Sequence, residues 1–110
     1  MTDAEFLATY KATLVHIEEC IEAAIVEHDA DIDYESANDM LTLMFKSGSV
    51  AIISRQSAVK QLWLAARSGG FHFNYQDDKA DWVCTINGET LVDMLGTVCR
   101  EQGGITLGFR

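Results

Sequence analysis

Carboxylates are the one chemical resource this chain holds in quantity. Glu18, Glu19 and Glu22 fall close together, and Glu27, Asp29, Asp31 and Asp33 continue the series. Glu18 and Glu22 lie one helical turn apart, with Glu19 beside them, and Asp29, Asp31 and Asp33 follow on a neighbouring strand. Oxygen donors on an open surface attract hard cations without enclosing them, so such a site is weak and unselective. A plainer account stands beside this one. Acids on a helix face keep it solvated, and acids on an edge strand discourage edge-to-edge pairing. One feature favours function: the acids approach the C-terminal half of the helix, where the macrodipole disfavours negative charge.

Other combinations are poorer. His16 and Cys20 form an i,i+4 pair, but two ligands make no metal site, and His28 and His72 are scattered. G-x-S-x-G, H-E-x-x-H, Walker and dinucleotide motifs are absent from the sequence. Gly69-Gly70 sits between two strands and not before a helix, so it reads as a turn and not a phosphate cradle. Cys20, Cys84 and Cys99 are odd in number and never spaced C-x-x-C, which points to free thiols in a reducing compartment.

The elements that position these residues follow from periodicity. Phe6, Tyr10, Leu14, Ile17, Ile21 and Ala24/Ile25 recur at three and four, predicting an amphipathic helix over roughly residues 4–26, capped by Thr2 or Asp3. Asp31–Glu35 alternates as an edge strand. Leu41, Leu43 and Phe45 are the inward set of the next, and Lys46–Ser49 turns into Val50–Arg55. Leu62, Leu64 and Ala66 face the core, Arg67–Gly70 turns, and Phe71, Phe73 and Tyr75 return on the same face. Asp81–Ile86 is a last strand, with Trp82 a packing residue. Asn87 caps a second helix whose stripe is Leu91, Leu95, Val98 and Gln102, stopped by Gly103-Gly104. Ile105–Arg110 is an extended tail over the core. The result is one domain, residues 1–110, of α+β class: a two-layer sandwich with both helices on one face of an antiparallel sheet. The other face stays open, which leaves Trp63 beside Gln61 on its polar side. Either a partner docks there, or a loop or second small core covers the ring.

Charge narrows the partners. Residues 1–45 hold eleven carboxylates against Lys11, giving −10; residues 46–110 hold six against seven basic residues, giving +1. Nucleic acid needs the opposite sign. No apolar run reaches the roughly 18 residues of a membrane span, and MTDAEF lacks a basic start or an apolar signal core, so a cytoplasmic chain is expected.

Ser54-Arg55-Gln56, Gln61-Leu62-Trp63-Leu64-Ala65 and Ser68-Gly69-Gly70-Phe71-His72-Phe73 together resemble the signature of the frataxins, most closely their bacterial, CyaY-type members. The resemblance runs in register from Asp3-Ala4-Glu5-Phe6 to Gly108-Phe109-Arg110. Ser54 stands where the family usually has Asn, and Ala58 where it often has Pro. The resemblance implies an iron-binding regulatory adaptor of iron–sulfur cluster assembly. An acidic ridge of Glu18, Glu19, Glu22, Glu27, Asp29, Asp31 and Asp33 would bind ferrous or ferric iron weakly and dock on a cysteine desulfurase. The sheet face, with Ser54, Gln56, Gln61, Trp63 and His72, would meet the scaffold machinery. Bacterial members often carry acids where Ala23 and Ile25 stand, so this ridge is the thinner and promises less iron per chain. A monomer is implied, with metal-driven oligomers. The alternative is an iron oxidase or iron store using the same carboxylates.

Overall fold

The computed structural model describes residues 1–109. Its elements run α1 (Asp3–His28), β1 (Ile32–Ala37), β2 (Met40–Phe45), β3 (Val50–Gln56), a single 3-10 turn (Ser57–Val59), β4 (Gln61–Ala66), β5 (Gly69–Gln76), β6 (Asp81–Cys84) and α2 (Leu91–Gly103). Among the described residues six strands pair antiparallel, each with its neighbour in sequence. Both helices lie on one face of the sheet, the α+β sandwich expected from the pattern.

α1 begins with a reciprocal cap. The Thr2 hydroxyl accepts from the Glu5 N–H at 3.1 Å, and the Glu5 carboxylate accepts from the Thr2 N–H at 2.8 Å. Those bonds, the Thr2 backbone first, hold the Glu5 carboxyl below its usual range. The predicted stripe Phe6, Tyr10, Leu14, Ile17, Ile21 and Ala24 is buried. It packs over Leu41, Leu43, Ile53, Leu62, Leu64 and Phe73, the inward positions of β2 to β5. Each such side chain contributes about 1.5–3 kcal/mol on burial, which is what fixes the register of every strand. Trp82 is core as well: it meets Phe6 and Tyr75 edge-on, and its Nε1–H donates to Thr13 Oγ1 at 2.9 Å.

Several boundaries shift from the sequence reading, and three of the shifts have a clear physical reason. Ala66 pairs with Gly69, so the β4–β5 turn is only Arg67-Ser68 and both glycines belong to β5. A two-residue turn matches the strand twist, and Gly69, at φ 138°, supplies backbone a side chain would disfavour. β6 ends at Cys84 and not Ile86: the Thr85 N–H makes a last bond to the His72 carbonyl at 2.9 Å, and the chain then turns back, the Gly88 N–H donating to the Cys84 carbonyl at 3.1 Å and the Cys84 N–H to the Glu89 carbonyl at 2.8 Å. Ile86 is left at the tip of the resulting loop. The helix cap is Thr90 and not Asn87: Thr90 bridges to Val83, and its Oγ1 accepts from the Asp93 N–H at 3.3 Å. Asn87 instead closes its own turn, its Oδ1 accepting from the Glu89 N–H at 2.9 Å.

Gln102, on the inner stripe of α2, joins three segments. Its Oε1 accepts from the Arg67 N–H at 2.8 Å, and its Nε2 donates to Ser49 Oγ at 2.8 Å and the Val50 carbonyl at 3.1 Å. α2 then stops at Gly104, in left-handed conformation at φ 63°. A Cβ on Gly103 would meet the Phe45 ring at 2.5 Å, so the pair Gly103-Gly104 serves packing as well as the cap. The tail does lie over the core: Phe109 is buried, and its carbonyl sits 2.6 Å from His16 Nε2. A carbonyl only accepts, so that nitrogen carries the proton. Arg110, the last residue of the expected tail, falls outside the described residues. No described helix is long and apolar enough to cross a membrane.

Candidate functional site

The acids of α1 divide around the helix. At about 100° per residue, Glu18 and Glu22 are about 40° apart, while Glu27 lies about 180° from Glu18. Glu18 and Glu22 face β1, where the Tyr34 hydroxyl donates to Glu22 Oε1 at 2.8 Å. That bond is the first reason the Tyr34 phenol is pushed above its ordinary range, followed by burial and by the charges of Glu22, Glu18 and Asp33. Glu19 points outward and is exposed, and Glu27 sits on the far side of the helix.

Beyond the helix the acids divide again. Asp29 is the left-handed C-cap at φ 52°, its N–H bonded to the last turn and its carboxylate exposed at the unfavourable end of the dipole. Asp31 precedes β1 and has Lys46 at 3.6 Å, both largely exposed. Asp33 pairs with Met44 and Glu35 with Thr42, so both belong to the outer side of the sheet, while Tyr34 between them turns toward α1. Strand β1 thus separates Glu18 and Glu22 on one side from Asp33 and Glu35 on the other. Among the described residues no three His, Cys, Asp or Glu side chains gather into a cluster able to hold a metal ion. The donor set, all carboxylate with one phenol, fits hard cations; its spread limits each ion to few protein ligands.

The open face is more compact. Ser54, Trp63 and His72 occupy one row across β3, β4 and β5, and Gln56 pairs with Gln61 in the adjacent row. The Trp63 and His72 rings stack, centroids 4.3 Å apart and planes at 12°. Trp63 Nε1–H donates to Gln61 Oε1 at 3.0 Å, and Gln61 Nε2 reaches Asn74 Oδ1 at 3.4 Å. Trp63 is therefore half-buried by an imidazole and an amide, not by a loop or a second core. Four residues escaped the sequence reading: Met40, Met44, Val50 and Ile52 share this outer face, with Met40 39% and Val50 43% exposed. Period two would have found them, since Leu41, Leu43 and Phe45 facing inward leave Met40 and Met44 facing out. Methionine and a central aromatic beside amides make an adaptable contact surface.

The chain as a whole is similar to known proteins. The chain is 42% identical over 102 residues to a protein of Stutzerimonas stutzeri named iron–sulfur cluster assembly protein CyaY, covering 93% of each. It is 43% identical over 109 residues to a protein of the same name from Pseudomonas fluorescens, covering 99% of this chain and 96% of that one. Among solved structures, a frataxin from Psychromonas ingrahamii superposes with a TM-score of 0.88 at 31% identity, over 100% of this chain and 99% of that one. A trimeric frataxin from Saccharomyces cerevisiae, complexed with ferrous iron, superposes at 0.73 with 25% identity, over 88% and 87% of the two chains. The frataxin-like domain model matches residues 1–105, so nearly the whole fold is accounted for and the chain belongs to the frataxin family.

Proposed function

We infer that this protein takes part in iron–sulfur cluster assembly as a cytoplasmic, iron-binding regulatory adaptor that docks on a cysteine desulfurase. The names of its relatives support the assembly role. The observation that carries the finer reading is the double use of β1: Tyr34 and Glu22 meet on its inner side, while Asp33 and Glu35 open onto the face that holds Trp63. A basic partner gripping that edge touches the acidic margin and the sheet face at once. The margin steers and orients; the face, with Trp63, His72, Gln61, Gln56 and Ser54, supplies the anchored contact with the desulfurase–scaffold assembly. Glu18, Glu19, Glu22, Asp29, Asp31 and Asp33 offer ferrous or ferric iron a shallow field of oxygen donors. Glu27 acts only as background charge. Iron in this reading is cargo or signal. The chain adds no catalytic group of its own and changes the rate of its partner.

The test is a reconstitution. Cysteine turnover by a desulfurase is measured with and without this protein, with and without ferrous iron, next to iron oxidation by the protein alone. A rate change requiring the complex supports the adaptor. Many equivalents of ferrous iron oxidised by the isolated chain, with no effect on the desulfurase, would establish the oxidase instead.

A further inference from the structure

Strand β2 lies between the acidic edge strand and the Trp63 row, and two of its three outward side chains are thioethers. Met44 pairs with Asp33 of β1 on one side and with Val50 of β3 on the other. Met40 lies at the opposite end of the strand, where it lines one shallow hollow with Ser54 and Gln56. Ser54 pairs in turn with Trp63. Met40 is 39% exposed and Met44 half-buried, and among the described residues neither belongs to the core or packs against it. The other two methionines differ. Met1 is exposed ahead of α1, away from the sheet face, and Met94 is buried in the core on α2.

We propose that Met40 and Met44 are a reversible oxidation site: hydrogen peroxide converts them to sulfoxides, and the open face then loses its hold on the partner, a step that rests on the docking proposed above. A thioether is soft and apolar and adapts to a partner's contour. In the reaction the sulfur lone pair attacks one peroxide oxygen, and the O–O bond breaks as the S–O bond forms. The proton on the transferred oxygen passes to the departing hydroxide, which leaves as water. Sulfur is oxidised by two electrons and the peroxide is reduced by two. The product carries a strong acceptor oxygen and no donor. A partner that spans Asp33 and Trp63 covers β2 between them, so it buries both sulfoxides in a contact shaped for apolar side chains, at the cost of desolvated polar groups. The fold is spared, because both side chains point away from the core. Oxidation of the buried Met94 would instead disrupt packing. Loss of binding with the fold kept is what lets a sulfoxide reductase restore the protein.

Untreated and peroxide-treated protein are compared for binding to a reconstituted desulfurase–scaffold complex, after a thiol reductant has restored any oxidised Cys20. Peptide mass spectrometry locates the added oxygen, and circular dichroism checks the fold. Met1 and Met40 should react first, Met44 next and Met94 last, in the order of their exposure. Affinity should fall at least about tenfold as Met40 and Met44 react, and return on treatment with methionine sulfoxide reductases. The double variant Met40→Leu, Met44→Leu, compared with itself before and after peroxide, should show no change, although Met1, Cys20 and Trp63 receive the same treatment. Affinity that survives conversion of both methionines overturns the inference and leaves the docking standing. An equal loss in the double variant does the same, and so does resistance of Met40 and Met44 to peroxide that oxidises Met1. Untreated protein that fails to bind removes the docking itself, and the inference with it.

Discussion

Trp63 and His72 meet face to face across β4 and β5, and neither ring has any other aromatic partner among the described residues. The pairing is set from below. Leu62, Leu64 and Phe73 are buried in the core, which forces Trp63 and His72 to the outer side at directly opposed positions. Gln61 then holds the indole N–H. The two rings are already ordered against each other, so the docking proposed for this face would cost little side-chain freedom.

Truncating this anchor should separate binding from stability. Trp63→Ala is expected to lower the unfolding free energy by about 1 kcal/mol, the scale of a lost ring stack. Binding to the desulfurase–scaffold assembly should weaken by about tenfold or more. Trp82→Ala is the control: fully buried, it should cost about 3–5 kcal/mol. Urea titrations and affinity measurements on both variants decide the matter; a loss at Trp63 as large as that at Trp82 would remove the open face as a site.

Reversing charge on α1 tests the margin. Glu18, Glu19 and Glu22 replaced by Lys change the local charge by +6, three residues at +2 each. Tyr34 loses its acceptor on Glu22, but no core contact is touched, and cations suit the C-terminal half of a helix. The fold should survive while affinity for the desulfurase collapses. Wild-type binding should weaken as salt brings the screening length to about 8 Å. Equal affinity in the reversed variant, without salt dependence, would mean these acids only solvate the helix.

Gln102→Leu should be costly although it adds apolar volume. The Arg67 N–H and the Val50 carbonyl would lose a buried partner together, at about 1–3 kcal/mol for each unsatisfied group. Denaturation gives the total. Hydrogen exchange should show faster opening of the Arg67 amide and of the β2–β3 and β4–β5 turns, while α1 remains protected.

Alkaline pH should destabilise the fold in a defined window. Burial pushes the Tyr10 phenol up to about 12, against a partial opposing effect of the Arg55 charge, and pushes the Cys99 thiol up to about 11. Both groups are neutral in the fold and ionise sooner in the unfolded chain. The folded state therefore holds more protons as pH rises, and stability falls. The contribution is complete at neutral pH and drains from about pH 9, the ordinary thiol value, to about 12. Tyr10→Phe should flatten the upper part of that decline while losing the bond to the Asp39 carbonyl at every pH. Urea midpoints across the range measure both effects.

How much of this is legible before folding depends on how local each cause is. The stripe of α1 and the alternation in β2 to β5 are read from single segments, because burial of one face sets each period by itself. The choice of Thr90 over Asn87 turns on the Cys84–Glu89 backbone bond, which no local propensity contains. The same holds for the acids. Parity along β1 places Asp33 and Glu35 together, but which side of α1 meets Tyr34 is a matter of how helix and sheet are set against each other. The Trp63–His72 stack needs the register of β4 against β5, and a two-residue turn in place of a four-residue one shifts that register.

The strands are ordered in space as they are in the chain. Each ladder closes over a short connection, so the sheet can zip hairpin by hairpin with little loop entropy lost at any step. α1 is synthesised before the sheet, yet its apolar stripe has nothing to rest on until β2 to β5 exist. Its docking is then the late event, and truncations at Leu14 or Ile17 should speed unfolding more than they slow refolding. With no proline in the sequence, refolding should also lack the phase of tens of seconds that prolyl isomerisation imposes. In a newly made chain that order would leave Phe6, Tyr10, Leu14, Ile17 and Ile21 uncovered until the sheet forms beneath them.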